Sequence, residues 1–277
     1  MPVLVVFLLS LFLCTEAFAV QVTDATGASV TVHNARRIVP LYAAFTDILD
    51  ALGALDLVVA RTKADRKCPN LPAVGTHMRP SLERIMALKP DLVLQLHGRA
   101  EAHDQTDFLR RFGIPVLELE LSSFEDLWLA TRRIGQAIGH PERAELCVAN
   151  WQKRLAQSTE KRGLRVVYEV RYPNLLVAGG GNIVSDIIRC AGCENAVTSP
   201  KKFVRLSDEA LFALNPDVYI IQTGPMNPDP VPLSERPGWG ALRVAQGKVI
   251  TVQEDLFSRP GPGALDACFL LREGLGR

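Results

Sequence analysis

Residues 81–94 read SLERIMALKPDLVL and residues 207–220 read SDEALFALNPDVYI, so the chain states one phrase twice. Both copies fit Ser-x-Glu-x-aliphatic-x-Ala-Leu-(Lys/Asn)-Pro-Asp followed by an apolar run. Ser81 and Ser207 stand where a hydroxyl caps a helix N-terminus. Glu83 and Glu209 fall in the first turn, where a carboxylate meets the positive end of the dipole. Leu82, Ile85, Met86 and Leu88 make one apolar helical face, matched by Leu211, Phe212 and Leu214. Pro90 and Pro216 stop the helices, and Leu92–Leu96 and Val218–Ile221 read as buried strands. A helix–Pro-Asp–strand unit repeated half a chain apart predicts two similar α/β lobes. Two lobes make a cleft, the usual seat of a small ligand.

The flanking sequence extends this pattern outward. VQVTDATGASVTVHN (20–34) alternates around Thr26-Gly27 and predicts a hairpin. Arg37–Leu41 and Leu57–Ala60 read as strands with a helix Ala44–Leu52 between them. A loop-rich stretch over 61–80 follows. After the first repeat come a helix Asp104–Phe112, strand Val116–Leu119 and helix Phe124–Ile138. This β/α succession predicts a largely parallel sheet. PERAELCVANWQKRLAQSTEK (141–161) opens on a proline suited to a helix start and contains no Gly. At 1.5 Å per residue it predicts a helix of about 30 Å joining the lobes. The second succession then runs from strand Val166–Val170 through helix Ile183–Cys190 and the second repeat to strand Val249–Val252. A Pro-rich loop over 223–240 interrupts it, and a helix near Ala264–Leu275 ends it.

Composition narrows the function. With 31 Lys+Arg against 30 Asp+Glu and no basic run, nucleic acid is not an expected partner. Pro2–Cys14 is almost wholly apolar and precedes an Ala17-Phe18-Ala19 cleavage signal. Residues 1–19 therefore predict a secretory signal cleaved after Ala19. Lipidation at Cys14 is the second reading, disfavoured by bulky Leu13. Cleavage leaves Cys68, Cys147, Cys190, Cys193 and Cys268, an odd number, so at least one thiol is unpaired. Cys190-Ala-Gly-Cys193 reads as a helix end with two small residues, with or without a local bridge, before it reads as a redox or metal motif.

RIVPLYAAFTDILDALGALDLVV (37–59), the two repeats, the long helix, NIVSDIIRCAGCENAV (182–197), RPGWGALRVAQGKVITV (236–252) and SRPGPGALDA (258–267) occur in an order that resembles a known family. It is that of the periplasmic binding proteins of ABC importers for cobalamin, ferric siderophores and haem. The resemblance covers essentially the whole exported chain. It implies an α/β fold of two Rossmann-like lobes with central, mostly parallel sheets, joined by one long α-helix. The lobes would span 20–140 and 163–277, with 141–162 as the link. It also implies a periplasmic monomer without enzymatic activity. Such a protein delivers a small-molecule metal chelate to a membrane permease dimer and its ATPase. Glu83 and Glu209 match the acidic residues that dock the two lobes onto the permease.

Ligand contacts are expected on loops after strands at the cleft edge. These are Tyr42, His77, Arg79, His97 and Arg99 on the first lobe. On the second they are Arg171, Tyr172, Trp239, Phe257 and Arg259. Aromatics with a few arginines suit a flat or acidic chelate. Gly179–Gly181 lacks the Lys-Ser/Thr of a phosphate loop and reads as a tight turn into a helix. His77, His97 and His103 with Glu101 and Asp104 raise the alternative of direct Zn, Mn or Ni binding. The second lobe offers no histidine to complete such a site. The expected cargo is a ferric siderophore or similar iron chelate, with a corrinoid second, haem third and bare metal last. No nucleophile elbow, HExxH or Walker motif supports an enzyme.

Overall fold

The repeat forms the same brace in both halves of the computed structural model, which describes residues 19–33, 35–98, 100–157 and 161–276. Ser81 Oγ accepts from the Arg84 N–H and Ser207 Oγ from the Ala210 N–H, so both caps form as predicted. Lys89 and Asn215 end the two helices at φ 45° and 41°, the left-handed turn that lets the chain leave before Pro90 and Pro216. The aspartates that follow carry the tertiary part of the motif. Asp91 accepts from the Arg36 and Arg37 N–H groups at 2.8 and 2.9 Å, and Asp217 from the Arg165 N–H at 2.9 Å. Each carboxylate thus ties the start of one strand to the start of its parallel neighbour.

In chain order the elements begin with a hairpin, β1 (Ala19–Thr23) and β2 (Ser29–His33). The first lobe continues with β3 (Ile38–Pro40), α1 (Ala43–Ala51), α2 (Leu82–Ala87), β4 (Leu92–Leu96), α3 (Ala100–Arg111), β5 (Val116–Leu119) and α4 (Phe124–Ala137). Then comes α5 (Pro141–Ala156). The second lobe contains β6 (Arg165–Arg171), β7 (Leu176–Ala178), α6 (Ile183–Cys190), β8 (Glu194–Asn195), β9 (Phe203–Arg205) and α7 (Asp208–Leu214). It ends with β10 (Val218–Thr223), β11 (Lys248–Gln253), α8 (Glu254–Phe257) and α9 (Gly263–Gly276).

Strands β3, β4 and β5 pair in parallel in that order. The second sheet runs β11-β10-β6-β7-β9, parallel across β11, β10 and β6 and antiparallel beyond, with β8 beside β6. Both sheets are covered on two faces, so the central strands β4, β6 and β10 are buried over nearly their whole length. Leu92 and Leu94 enter one core and Val93 the other. Val166, Tyr168 and Val170 likewise face one side of the second sheet, with Val167 on the other.

Helix α5 packs along α4, and the close approach requires Gly135, where an added Cβ would lie 2.4 Å from that of Ala144. The helix has 16 residues, about 24 Å, rather than the 21 expected. It ends where Gln157 leads into the Ser-Thr stretch, poor helix formers. Phe124 and Leu155 pack against a core of each lobe, and Leu265 of α9 is buried in the first lobe's core.

Two other expectations differ from the structure. Leu57–Ala60 is not a strand: a 3-10 turn occupies Leu55–Leu57, and Val58 meets β3 in a single bridge to Ile38. Cys190 does not bridge to Cys193. It is bonded to Cys268 of α9, 78 residues away with Cα atoms 5.8 Å apart, and Cys193 is a buried free thiol. Helices α6 and α9 pack side by side on one face of the sheet, bringing these sulfurs together. Among the described residues no helix is long and apolar enough to cross a membrane. Of the predicted signal segment 1–19, residues 1–18 lie outside the described residues.

Candidate ligand cleft

The carboxyl ends of parallel strands expose backbone and loop side chains, and here both sheets bring those ends to a common boundary. On the first lobe Tyr42 follows β3 at the start of α1, half-buried. Its ring lies 6.1 Å from Phe45 and 5.5 Å from the half-buried imidazole of His77. His77 sits at the tip of a turn closed by Thr76 and Arg79, beside exposed Met78 and Arg79. His97 follows β4, with Nδ1 3.1 Å from Glu118 Oε2. Glu118 is 2% exposed and also lies 3.8 Å from Arg110. Arg99 lies outside the described residues, as do the side chains of Glu101 and His103. Among the described residues no group of three or more His, Cys, Asp or Glu could hold a metal ion.

On the second lobe Arg171 and Tyr172 end β6, both half-buried. The Tyr172 ring lies 4.1 Å from the guanidinium of Arg236, which stands 4.6 Å from the ring of Trp239. Trp239 is 1% exposed and Phe257 3% exposed, the latter stacked on Tyr168 with centroids 6.4 Å apart. Both are therefore packing residues of the second lobe, correcting their expected place at the cleft surface. An aromatic in a Gly/Pro loop reads as free to stack on ligand, but here the loop folds back and Trp239 covers Arg236. Gly179–Gly181 is the tight turn expected. It lies so close beneath residues 199–202 that an added Cβ at Gly179 or Gly181 would fall 2.2 Å from a backbone carbonyl.

Residues with no distinguishing signal in the sequence complete the boundary. Glu120, just past β5, accepts from Lys202 Nζ of the second lobe at 2.8 Å, a pair 82 residues apart. Ser122 donates its hydroxyl to the same carboxylate. Burial works against the ionised form of Glu120, but Lys202 and Ser122 outweigh it and hold the carboxyl below its ordinary range. Asp186 of α6 accepts from the Phe124 N–H at 2.7 Å. Arg259 Nη1 lies 3.7 Å from Asp47 of α1. Next to Lys202, Phe203 at the start of β9 is 41% exposed. Behind Arg259 a hollow of about 530 Å³ opens among Asp47, Lys67, Trp151, Arg154 and Asp266. The described residues offer aromatic rings, imidazole and cations on the loops of two bodies.

A family model described as Periplasmic binding protein matches residues 38–256, so the chain belongs to that family. It is 29% identical to YvrC, an ABC transporter substrate-binding lipoprotein of Bacillus subtilis, over 94% of this chain and 87% of the relative. It is 27% identical to the vitamin B12-binding protein of Pectobacterium carotovorum, over 94% of this chain and 90% of that protein. The crystal structure of an ABC-type Fe3+-hydroxamate transport system from Saccharomonospora viridis superposes with a TM-score of 0.74 at 22% identity, covering 94% of this chain and 100% of that one. Members of the family are substrate-binding proteins rather than enzymes.

Proposed function

We propose that the protein is exported, captures a metal chelate between its lobes and presents it to the permease dimer of an ABC importer. The observation that supports the reading is the meeting of the two lobes, joined by Glu120–Lys202 and Asp47–Arg259, with Tyr42, His77 and His97 on loops of the first lobe and Arg171 and Tyr172 at the end of a strand of the second. Relatives that bind vitamin B12 and match nearly the whole chain support a corrinoid as first cargo, ahead of the iron chelate that the residues alone suggest. A corrinoid needs no protein ligand to its metal, only aromatic and hydrogen-bonding surface. The iron-chelate reading retains one favourable feature, the Tyr42–His77 pair, a phenol and an imidazole side by side. The chain acts as a monomer, with lobes at 20–140 and 163–277 and the link at 141–162.

Docking falls to Glu83 and Glu209, both exposed at the starts of the repeated helices. The Ser207 hydroxyl holds the Glu209 carboxyl below its usual range. Beside it a hollow of about 400 Å³ is walled by Phe212, Pro237 and Trp239.

Calorimetry of the purified protein with cyanocobalamin, cobinamide, ferrichrome, haemin and zinc tests the cargo. Cyanocobalamin should bind with Kd at or below about 1 μM, weakened by at least about tenfold in Tyr42→Ala, a loss of about 1.4 kcal/mol. Zinc binding without any chelate would sink the proposal. With a chelate identified, Glu83→Ala/Glu209→Ala should abolish importer-dependent uptake while leaving chelate affinity within about twofold, since both are exposed carboxylates assigned to docking rather than to the ligand.

A further inference from the structure

We propose that the Glu120–Lys202 pair makes the cleft select charge-neutral chelates over anionic ones, with Glu120 as the specificity-determining residue. The inference rests on the reading that the cleft takes a metal chelate, and adds which charge class it admits.

Lys202 is held in place before any ligand arrives. Its carbonyl accepts from the Gly179 N–H at 3.1 Å and from Asn182 Nδ2 at 3.3 Å, and the Ser199 carbonyl accepts from the Gly180 N–H at 2.6 Å. The glycine turn admits no side chain beneath this loop, so Lys202 projects from a fixed backbone. Its ammonium reaches the end of β5, where it is already matched by Glu120 at 2.8 Å. Arg259, another cation that crosses the boundary, faces Asp47 in the same way. Below Glu120 lies the carboxylate of Glu118, and Glu120 Oε2 is 3.5 Å from where a Cβ on Gly98 would stand. The acidic oxygens therefore occupy the strand ends where a chelate's edge would enter.

An anionic edge, such as haem propionates or a tricatecholate, meets a lysine whose charge is taken and a carboxylate that repels it. Juxtaposed like charges are a strong means of rejecting a ligand. A neutral chelate edged with amides or hydroxamates leaves the pair intact. Arg79 and Arg171 can also donate to amide carbonyls.

The test is a calorimetric panel of two neutral chelates, cyanocobalamin and ferrichrome, and three anionic ones, haemin, a ferric tricatecholate and ferric citrate. The wild-type protein should bind at least one neutral chelate about tenfold or more tightly than any anionic one. In Glu120→Gln the freed lysine should raise affinity for the anionic chelates about tenfold, with neutral binding changed by less than about threefold. The gain should disappear in Glu120→Gln/Lys202→Met. Anionic chelates bound by wild type as tightly as neutral ones, or no gain in Glu120→Gln, would overturn the assignment. Ferrichrome bound without cyanocobalamin removes the corrinoid reading and leaves the charge rule standing. Haemin or catecholate bound alone removes the charge rule and leaves the chelate reading. No binding to either protein overturns both. Thermal melts followed by far-UV circular dichroism check that the variants fold; if Glu120→Gln does not, the order of affinities in the wild-type panel decides.

Discussion

Arg236→Ala is expected to destabilise the second lobe by about 3–5 kcal/mol, the largest effect of any single substitution considered for this chain. Arg236 is 3% exposed and Glu169, its partner, is 0% exposed. The guanidinium meets both carboxylate oxygens, with Nη2 2.9 Å from Oε1 and Nη1 against Oε2. Its Nε and Nη2 also donate to the Val231 carbonyl at 2.9 and 2.6 Å, pinning the Pro-rich loop to the sheet. Tyr219 donates its hydroxyl to Glu169 at 2.7 Å, and burial beside that carboxylate pushes the phenol's pKa well up. Removing the arginine leaves a carboxylate inside the lobe with only Tyr219 and Asn227 to solvate it. Tyr172 and Trp239 lose the cation between their rings at the same time. Urea unfolding followed by circular dichroism measures the loss. Arg236→Ala/Glu169→Met should recover much of it, because the cost comes from the stranded charge more than from the missing attraction. A single variant within about 1 kcal/mol of wild type would show that water reaches Glu169, contrary to this account.

Loss of the Cys190–Cys268 bond should cost somewhat less, about 2–5 kcal/mol in Cys190→Ala/Cys268→Ala. The bond closes a loop of 78 residues that contains β8, β9, α7, β10 and β11, so the unfolded lobe loses much freedom when it is present. For a loop of that length the chain-entropy model gives about 4.5 kcal/mol. An exported protein meets an oxidising compartment in which the bond persists. Guanidinium unfolding with and without a phosphine reductant separates the bond from the packing of the side chains. Reductant should lower the wild-type midpoint to that of the variant and leave the variant unchanged. A wild-type midpoint indifferent to reductant would remove the bond from the stability of the folded protein. Cys193, buried with its thiol pushed up by that burial, is expected to remain unreactive throughout.

These two devices mark where the sequence stopped being legible. Ser81 and Ser207, Pro90 and Pro216, and strand Leu92–Leu96 are local features, each decided by residues within a few positions. They were readable because capping, helix termination and apolar runs act over one or two turns. The exposed Glu83 and Glu209 follow from the same local pattern. The sequence leaves the partner of Cys190 open, because spacing brings only Cys193 near it, whereas the packing of α6 beside α9 pairs it with Cys268. Trp239 reads as a ligand contact in the sequence because nothing local reveals that Arg236, three positions before it, turns inward to Glu169.

The sequence by itself determined two α/β lobes, their strand–helix order and the membership of the chain in its family, because a repeated motif and apolar periodicity encode local structure directly. Tertiary structure alone decided which charges face one another: Glu120 with Lys202, Asp47 with Arg259, Glu169 with Arg236. Each pair joins residues far apart in the chain, and their partnership depends on how sheets and helices stack. Coulombic and hydrogen-bond energies depend on distances in space, and those distances exist only once both lobes have packed.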